Sequence, residues 1–130
     1  MLRSILIIDD SESQQFLYKH TLEKALDGVT VHTAFDGVEA LEVIDNLQNT
    51  IDCILLDINM PRMNGFEFLE EYCKRYHDEV RIVAMLTSST QEIDKAKALA
   101  YPCVKDYFVK PMTSGNIQKL LDLVKGQVIS

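Results

Sequence analysis

Asp9 and Asp10 stand side by side at the end of the aliphatic run "ILIIDD", residues 5 to 10. A third acid, Asp57, closes "CILLD", Thr87 closes "IVAMLT", and Lys110 closes "DYFVK". Three carboxylates brought within a few ångströms repel one another strongly unless a cation neutralises them. An all-oxygen donor set without histidine or thiolate favours Mg²⁺, which keeps several waters and pairs with phosphate oxygens. Lys110 would supply a point charge suited to a phosphoryl oxygen, and Thr87 a small hydroxyl donor. Asp57, after four apolar residues and ahead of a loop, is the acid aimed at open space. A carboxylate nucleophile beside Mg²⁺ and a lysine is equipment for accepting a phosphoryl group as an acyl phosphate.

Each residue alone has a plainer reading. Aspartate at a strand end commonly caps the next helix, threonine there is a satisfied hydroxyl, and Lys-Pro is a turn. The chemistry requires one framework that carries all of them to a common rim. Short aliphatic runs at Ser4–Asp9, Val29–Phe35, Ile51–Asp57, Arg81–Leu86 and Cys103–Val109 read as strands, continuously apolar as if covered on both faces. Helical stripes lie between them: Val38, Leu41 and Ile44; Phe66, Leu69, Tyr72, Cys73 and Tyr76; Ile117, Leu120, Leu121 and Val124. Asp36 with Glu39, and Ser89 with Glu92, have the spacing of capping boxes, and Gly28 sits where the first helix should stop. Five β-α alternations predict an α/β fold, a doubly wound five-stranded parallel sheet with helices on both faces, as one domain over residues 1–130. Ligands of such sheets bind outside the carboxyl ends of the strands, which is where the three acids, Thr87 and Lys110 fall.

Bulk properties remove several function classes. A net charge of −7 and a pI near 4.8 oppose non-specific nucleic-acid binding. No apolar stretch approaches membrane-spanning length and the N-terminus lacks signal-peptide form, so a cytoplasmic location is expected, with no membrane partner. Cys53, Cys73 and Cys103 lie far apart in sequence without metal-ligand spacing and read as buried free thiols. His20, His32 and His77 are scattered and accompany no nucleophile or carboxylate motif.

The set of Asp9-Asp10, "LLDINMPRMNG", "MLTSS" and "DYFVKP" resembles the receiver domain of two-component response regulators, the chemotaxis-type phosphoacceptor. The likeness runs from Ile5 to about Val124, and its most specific part is D-x-x-M-P-x-M-N-G at residues 57 to 65. It implies a flavodoxin-like sheet of order 2-1-3-4-5. It implies Asp57 as the phosphorylated residue, Asp10 as a direct Mg²⁺ ligand, Asp9 as holder of metal-bound water, and Asn59 as lending its backbone carbonyl. Thr87 and Lys110 would grip the phosphoryl oxygens, and Tyr107 falls where the family places its switch aromatic. Asn59 and Ser89 would flank the path of hydrolytic water, and Pro111 would follow a cis peptide. The phosphodonor would be a sensor histidine kinase or histidine phosphotransferase. The downstream protein target would meet the face formed by helix 4 (Ile93–Ala100), strand 5 and helix 5, where Lys95, Lys97, Tyr101 and Lys105 offer charge and aromatic area. Such a chain catalyses only its own phosphorylation and autodephosphorylation.

One departure stands at "AYPCVKDY", where Cys103 and Val104 replace the family's usual Gly-Ala pair, putting the loop geometry there in question. A flavodoxin-like electron carrier needs a hydroxyl- and glycine-rich phosphate loop after strand one, and "DDSES" would repel an anion. A haloacid-dehalogenase-type phosphatase needs a general acid two residues after its nucleophile, where this chain has Asn59. A purely structural interaction module would leave the strand-end acids as solvated caps. No output domain is legible in the 130 residues, so output is expected to pass through protein–protein contact.

Overall fold

The computed structural model describes residues 2–47, 50–76 and 82–129, with side chains to residue 125. Its elements alternate strictly: β1 (Ser4–Ile8), α1 (Glu12–Ala25), β2 (Thr30–Ala34), α2 (Gly37–Leu47), β3 (Cys53–Leu56), α3 (Gly65–Arg75), β4 (Ile82–Thr87), α4 (Glu92–Leu99), β5 (Val104–Val109) and α5 (Ser114–Ile129). All five strands are parallel, in the order β2-β1-β3-β4-β5. The expected strands match to within two residues at each described end, while Arg81 and His77 lie outside the described residues.

Burial follows from that order. The interior strands β1, β3 and β4 are buried at every position, whereas the edge strands β2 and β5 alternate with exposed or half-buried residues. Odd and even positions of each strand feed opposite cores. Leu6, Ile8, Ile54 and Leu56 pack with Leu41 and Ile44 of α2 and Phe68, Leu69 and Tyr72 of α3. Ile5, Ile7 and Leu55 pack with Tyr18 and Leu22 of α1 and Ile117, Leu120 and Val124 of α5. Each fully buried Ile or Leu contributes about 1.5–3 kcal/mol relative to exposure, so the sheet forms a stiff platform beneath its C-terminal rim.

Helix ends refine the sequence reading. Asp36 does accept from the Glu39 amide (2.9 Å), but Glu39 reaches back to the Phe35 amide (3.1 Å), one residue before Asp36. Ser89 does not cap α4. The N-cap is Gln91, without a side-chain cap bond, and Ser89 Oγ binds Asp94 Oδ2 at 2.7 Å instead. An unanticipated capping box, Asn64 with Glu67, starts α3 directly after the Asp57 loop. The α3 stripe centres on fully buried Phe68 rather than half-buried Phe66. Gly28 does adopt φ +75° after α1. At the atypical entry to β5 the ladder skips from Val83–Val104 to Ala84–Asp106, leaving Lys105 as a bulge whose Nζ donates to the Pro102 carbonyl at 2.8 Å.

Candidate functional site

The rim at the C-terminal ends of β1, β3 and β5 gathers carboxylates around one ammonium. Carboxylate oxygens of Asp9, Asp10 and Asp57 all lie within 4.8 Å of one another. Asp9 and Asp57 are buried and Asp10 is exposed, so the cluster opens to solvent on the Asp10 side. Parallel pairing sets this up. The Asp57 amide donates to the Ile8 carbonyl (2.9 Å), holding the end of β3 level with the acids that follow β1.

Lys110 Nζ donates to Asp9 Oδ2 at 2.7 Å and to Asp57 Oδ2 at 3.0 Å, and also to Gln14 Oε1. Three acceptors thus use all three ammonium protons. The second oxygens are held by backbone: Ser11 N–H donates to Asp9 Oδ1 (2.9 Å) and Ile58 N–H to Asp57 Oδ1 (2.7 Å). Burial pushes the Asp9 carboxyl above its ordinary range, more strongly than the hydrogen bond from Lys110 pulls it down. For Lys110, burial opposes the charge, but the hydrogen bonds to Asp9 and Asp57 outweigh it and the net shift is upward. One ammonium faces three carboxylates, so the cluster carries excess negative charge. An all-oxygen set that is partly buried, partly open and short of positive charge fits a hard divalent cation.

Thr87 is fully buried at the end of β4, and its Oγ1 accepts from the Ser89 amide at 3.3 Å. Tyr107 is half-buried on β5, and its hydroxyl donates to the Ser89 carbonyl at 3.0 Å. Ser89 Oγ faces Asp94 on α4. Ser89 thus links Thr87, Tyr107 and α4, a junction that its reading as a capping residue missed. Asn59 lies on the exposed loop two residues past Asp57, and the Lys110–Pro111 peptide is cis.

Further residues support the site in ways that neither the cap spacing at Asp36 nor the motif that ends in Gly65 disclosed. Gln15 is buried, and its Nε2 donates to the carbonyls of Asp9 (2.7 Å) and Ala34 (2.5 Å), tying the ends of β1 and β2 together. The end of β2 thereby joins the same rim, where the Asp9 amide also donates to the Ala34 carbonyl at 3.0 Å. Asp36 is buried and bound twice by Arg62, whose φ of +59° turns the loop that carries Asn59. Burial raises the Asp36 carboxyl, but Arg62 and the Glu39 amide outweigh it and hold it below the usual range. Gly65 is required by contact: a Cβ there would sit 2.4 Å from the Asp57 carbonyl oxygen.

The thiols differ from expectation. Cys53 is buried within β3 and its thiol is pushed up to about 12, but Cys73 and Cys103 are half-buried and their sulfurs touch at 3.6 Å. On the outer face of α4, Ile93 is 73% exposed, while Lys97 lies over the Phe66 ring at 4.3 Å and Tyr101 donates to Glu70 at 3.3 Å. Those two side chains are turned toward α3 rather than outward.

A family model described as the response regulator receiver domain matches residues 5–122. A two-component response regulator from Cytophaga hutchinsonii superposes with a TM-score of 0.87 at 29% identity, covering 96% of this chain and 98% of that one. The Vibrio cholerae chemotaxis protein CheY4 is 33% identical, with TM-score 0.79 and coverage of 95% and 99%. A CheY-like receiver domain protein from Methanospirillum hungatei gives TM-score 0.84 at 26% identity, covering 98% of each chain.

Proposed function

The chain belongs to the response regulator receiver domain family of two-component signalling, and on that premise we propose that it accepts a phosphoryl group on Asp57 from a sensor histidine kinase or histidine phosphotransferase. The observation that carries this reading is the Asp57 carboxylate, bound to Lys110 Nζ at 3.0 Å and within 4.8 Å of oxygens from Asp9 and Asp10.

Asp9, Asp10 and Asp57, with the backbone carbonyl of Asn59, would hold Mg²⁺. Bound there, Mg²⁺ would offset the charge of the acids and of the incoming phosphoryl oxygens. An Asp57 oxygen attacks phosphorus as the phosphorus–nitrogen bond to the donor imidazole breaks, and the imidazole leaves with the electron pair. The Ile58 amide steadies the Asp57 carboxylate through Oδ1. Lys110 exchanges Asp57 Oδ2 for a phosphoryl oxygen, retaining Asp9 and Gln14 as its anchors. Hydrolysis returns the carboxylate, with water passing Asn59 and Ser89.

The phosphoryl group brings nearly two negative charges and three acceptor oxygens. Thr87 is drawn toward one of them. Because the Ser89 amide is bound to Thr87 Oγ1, and its carbonyl and hydroxyl to Tyr107 and Asp94, this movement is passed to α4 and β5. The altered face of α4, β5 and α5 meets a downstream protein, with Ile93, Leu99 and Val109 as its exposed apolar content.

The test is phosphodonor labelling with acetyl phosphate and Mg²⁺. The expected product is hydroxylamine-labile phosphate that disappears in Asp57→Asn while the fold persists. Label retained at wild-type level in that variant would overturn the assignment of Asp57. Repeated turnover of small phosphate esters would instead favour a phosphatase.

A further inference from the structure

Cys73, near the end of α3, and Cys103, in the turn entering β5, are 30 positions apart, yet their Sγ atoms lie 3.6 Å from each other. Both side chains are half-buried, so a small reagent can reach the pair, whereas Cys53 is sealed inside the sheet. Among the described residues the one cluster with metal-ligating reach is Asp9, Asp10 and Asp57, so the two thiols are not part of a larger ligand set. Beside them, Tyr101 donates to Glu70 and Lys97 covers Phe66, which makes a seam between α3 and the α4–β5 connection.

We propose that Cys73 and Cys103 are an oxidisable dithiol, converted by a low-molecular-weight disulfide of the glutathione class into an intramolecular disulfide that ties α3 to the entrance of β5. This lies beyond the phosphoacceptor reading and does not depend on it. The Cys73 thiolate attacks one sulfur of the small disulfide, releasing one small thiol and leaving a mixed disulfide on the protein. The Cys103 thiolate then attacks the Cys73 sulfur and expels the second small thiol. In total the protein gives up two protons and two electrons, and the small disulfide is reduced to two thiols. Burial, and then Cys73 alongside, raises the Cys103 thiol, so Cys73 opens the exchange, and capping of Cys73 removes the neighbour's share of that shift before Cys103 attacks. Contact between the sulfurs makes the closing step intramolecular, which favours it over capture of another reagent molecule. Closure brings the sulfurs from 3.6 Å to a bond of about 2.0 Å. In a reducing compartment the pair rests as thiols and closes transiently under oxidant.

The experiment treats the full chain with oxidised glutathione, quenches by alkylation under denaturing conditions, and maps the peptides by mass spectrometry. Free thiols should fall from three to one, with a Cys73–Cys103 peptide pair, no retained glutathione, and complete reversal by dithiothreitol. Cys103→Ser should instead keep a glutathione adduct on Cys73, because the resolving sulfur is gone. The oxidised wild type should also melt at a higher temperature than the reduced form. Three surviving thiols, a lasting glutathione adduct on the wild type, or a link through Cys53 or between two chains would each overturn the proposal.

Discussion

Arg62 holds Asp36 through two hydrogen bonds, Nε to Oδ2 at 2.7 Å and Nη2 to Oδ1 at 3.1 Å, across 26 positions of sequence. The pair joins the end of β2 to the loop after β3, and so braces the backbone that leads from Asp57 to α3. The Gly37 amide, donating to the Met63 carbonyl at 3.1 Å, reinforces the same junction.

That pairing predicts a pH dependence. Asp36 is held below its ordinary value of 3.8, so the folded protein binds this proton less readily than the unfolded chain. The stability it contributes is complete above about 3.8 and is lost as pH falls through the lower folded-state value. Asp36→Asn should lower the urea midpoint at neutral pH and flatten the acid limb of the stability curve. An acid limb identical to wild type would show that Arg62 does not hold this carboxylate in solution.

Gly65 is the point where α3 starts against the strand that ends in Asp57. In Gly65→Ala the new Cβ would meet the Asp57 carbonyl oxygen at 2.4 Å and Ile58 Cα at 2.9 Å, both backbone atoms that cannot rotate aside. The expected cost is about 1–3 kcal/mol in urea unfolding, as for other overpacking changes. Phosphoryl uptake should fall with it, because the strain acts on the residue carrying Asp57. Wild-type stability would mean the helix start shifts freely.

Asp10 is the exposed member of the acid cluster. Asp10→Asn should weaken Mg²⁺ binding while raising stability in metal-free, low-salt buffer by up to ~1 kcal/mol, because one of three like charges is removed. The gain should shrink as salt screens the site. Calorimetric titration with Mg²⁺ and thermal melts in chelator check the two halves separately.

Ser89 has two separable roles. A bulky aromatic or long charged residue there should slow autodephosphorylation roughly tenfold, equivalent to about 1.4 kcal/mol in barrier, by obstructing water. Ser89→Ala leaves the path open and removes the bond to Asp94 at 2.7 Å. It should decay at near wild-type rate but show a smaller chemical-shift response of α4 to beryllofluoride. Equal responses in the two proteins would remove the Asp94 bond from the signalling route.

Tyr107→Phe removes the hydroxyl that donates to the Ser89 carbonyl at 3.0 Å and should cost about 1 kcal/mol, the net worth of one hydrogen bond. Phosphate labelling should persist, since the ring lies outside the acid cluster. Loss of labelling would give Tyr107 a part in the chemistry itself.

The sequence by itself determined the parallel sheet, its five helices and the rim where the chemistry would lie. Those features depend on periodicity and on the rule that parallel strands present their C-terminal ends together, so Asp9, Asp10, Asp57, Thr87 and Lys110 could be located from strand ends alone. The motif around Asp57 then supplied the family resemblance. What only the tertiary structure decided was which side chains meet. Lys110 and Gln14 are 96 positions apart, Cys73 and Cys103 are 30 apart, and Asp36 and Arg62 are 26 apart. Spacing cannot report such contacts, because they depend on side-chain direction and on how each helix is seated over the sheet. Asp36 and Ser89 illustrate the limit: both carry the local pattern of a helix cap. Arg62 crosses from another loop to bind the first, while the second turns its hydroxyl to Asp94 and its backbone to Thr87 and Tyr107. Local preference proposes a partner for each polar group, and packing chooses among the partners within reach.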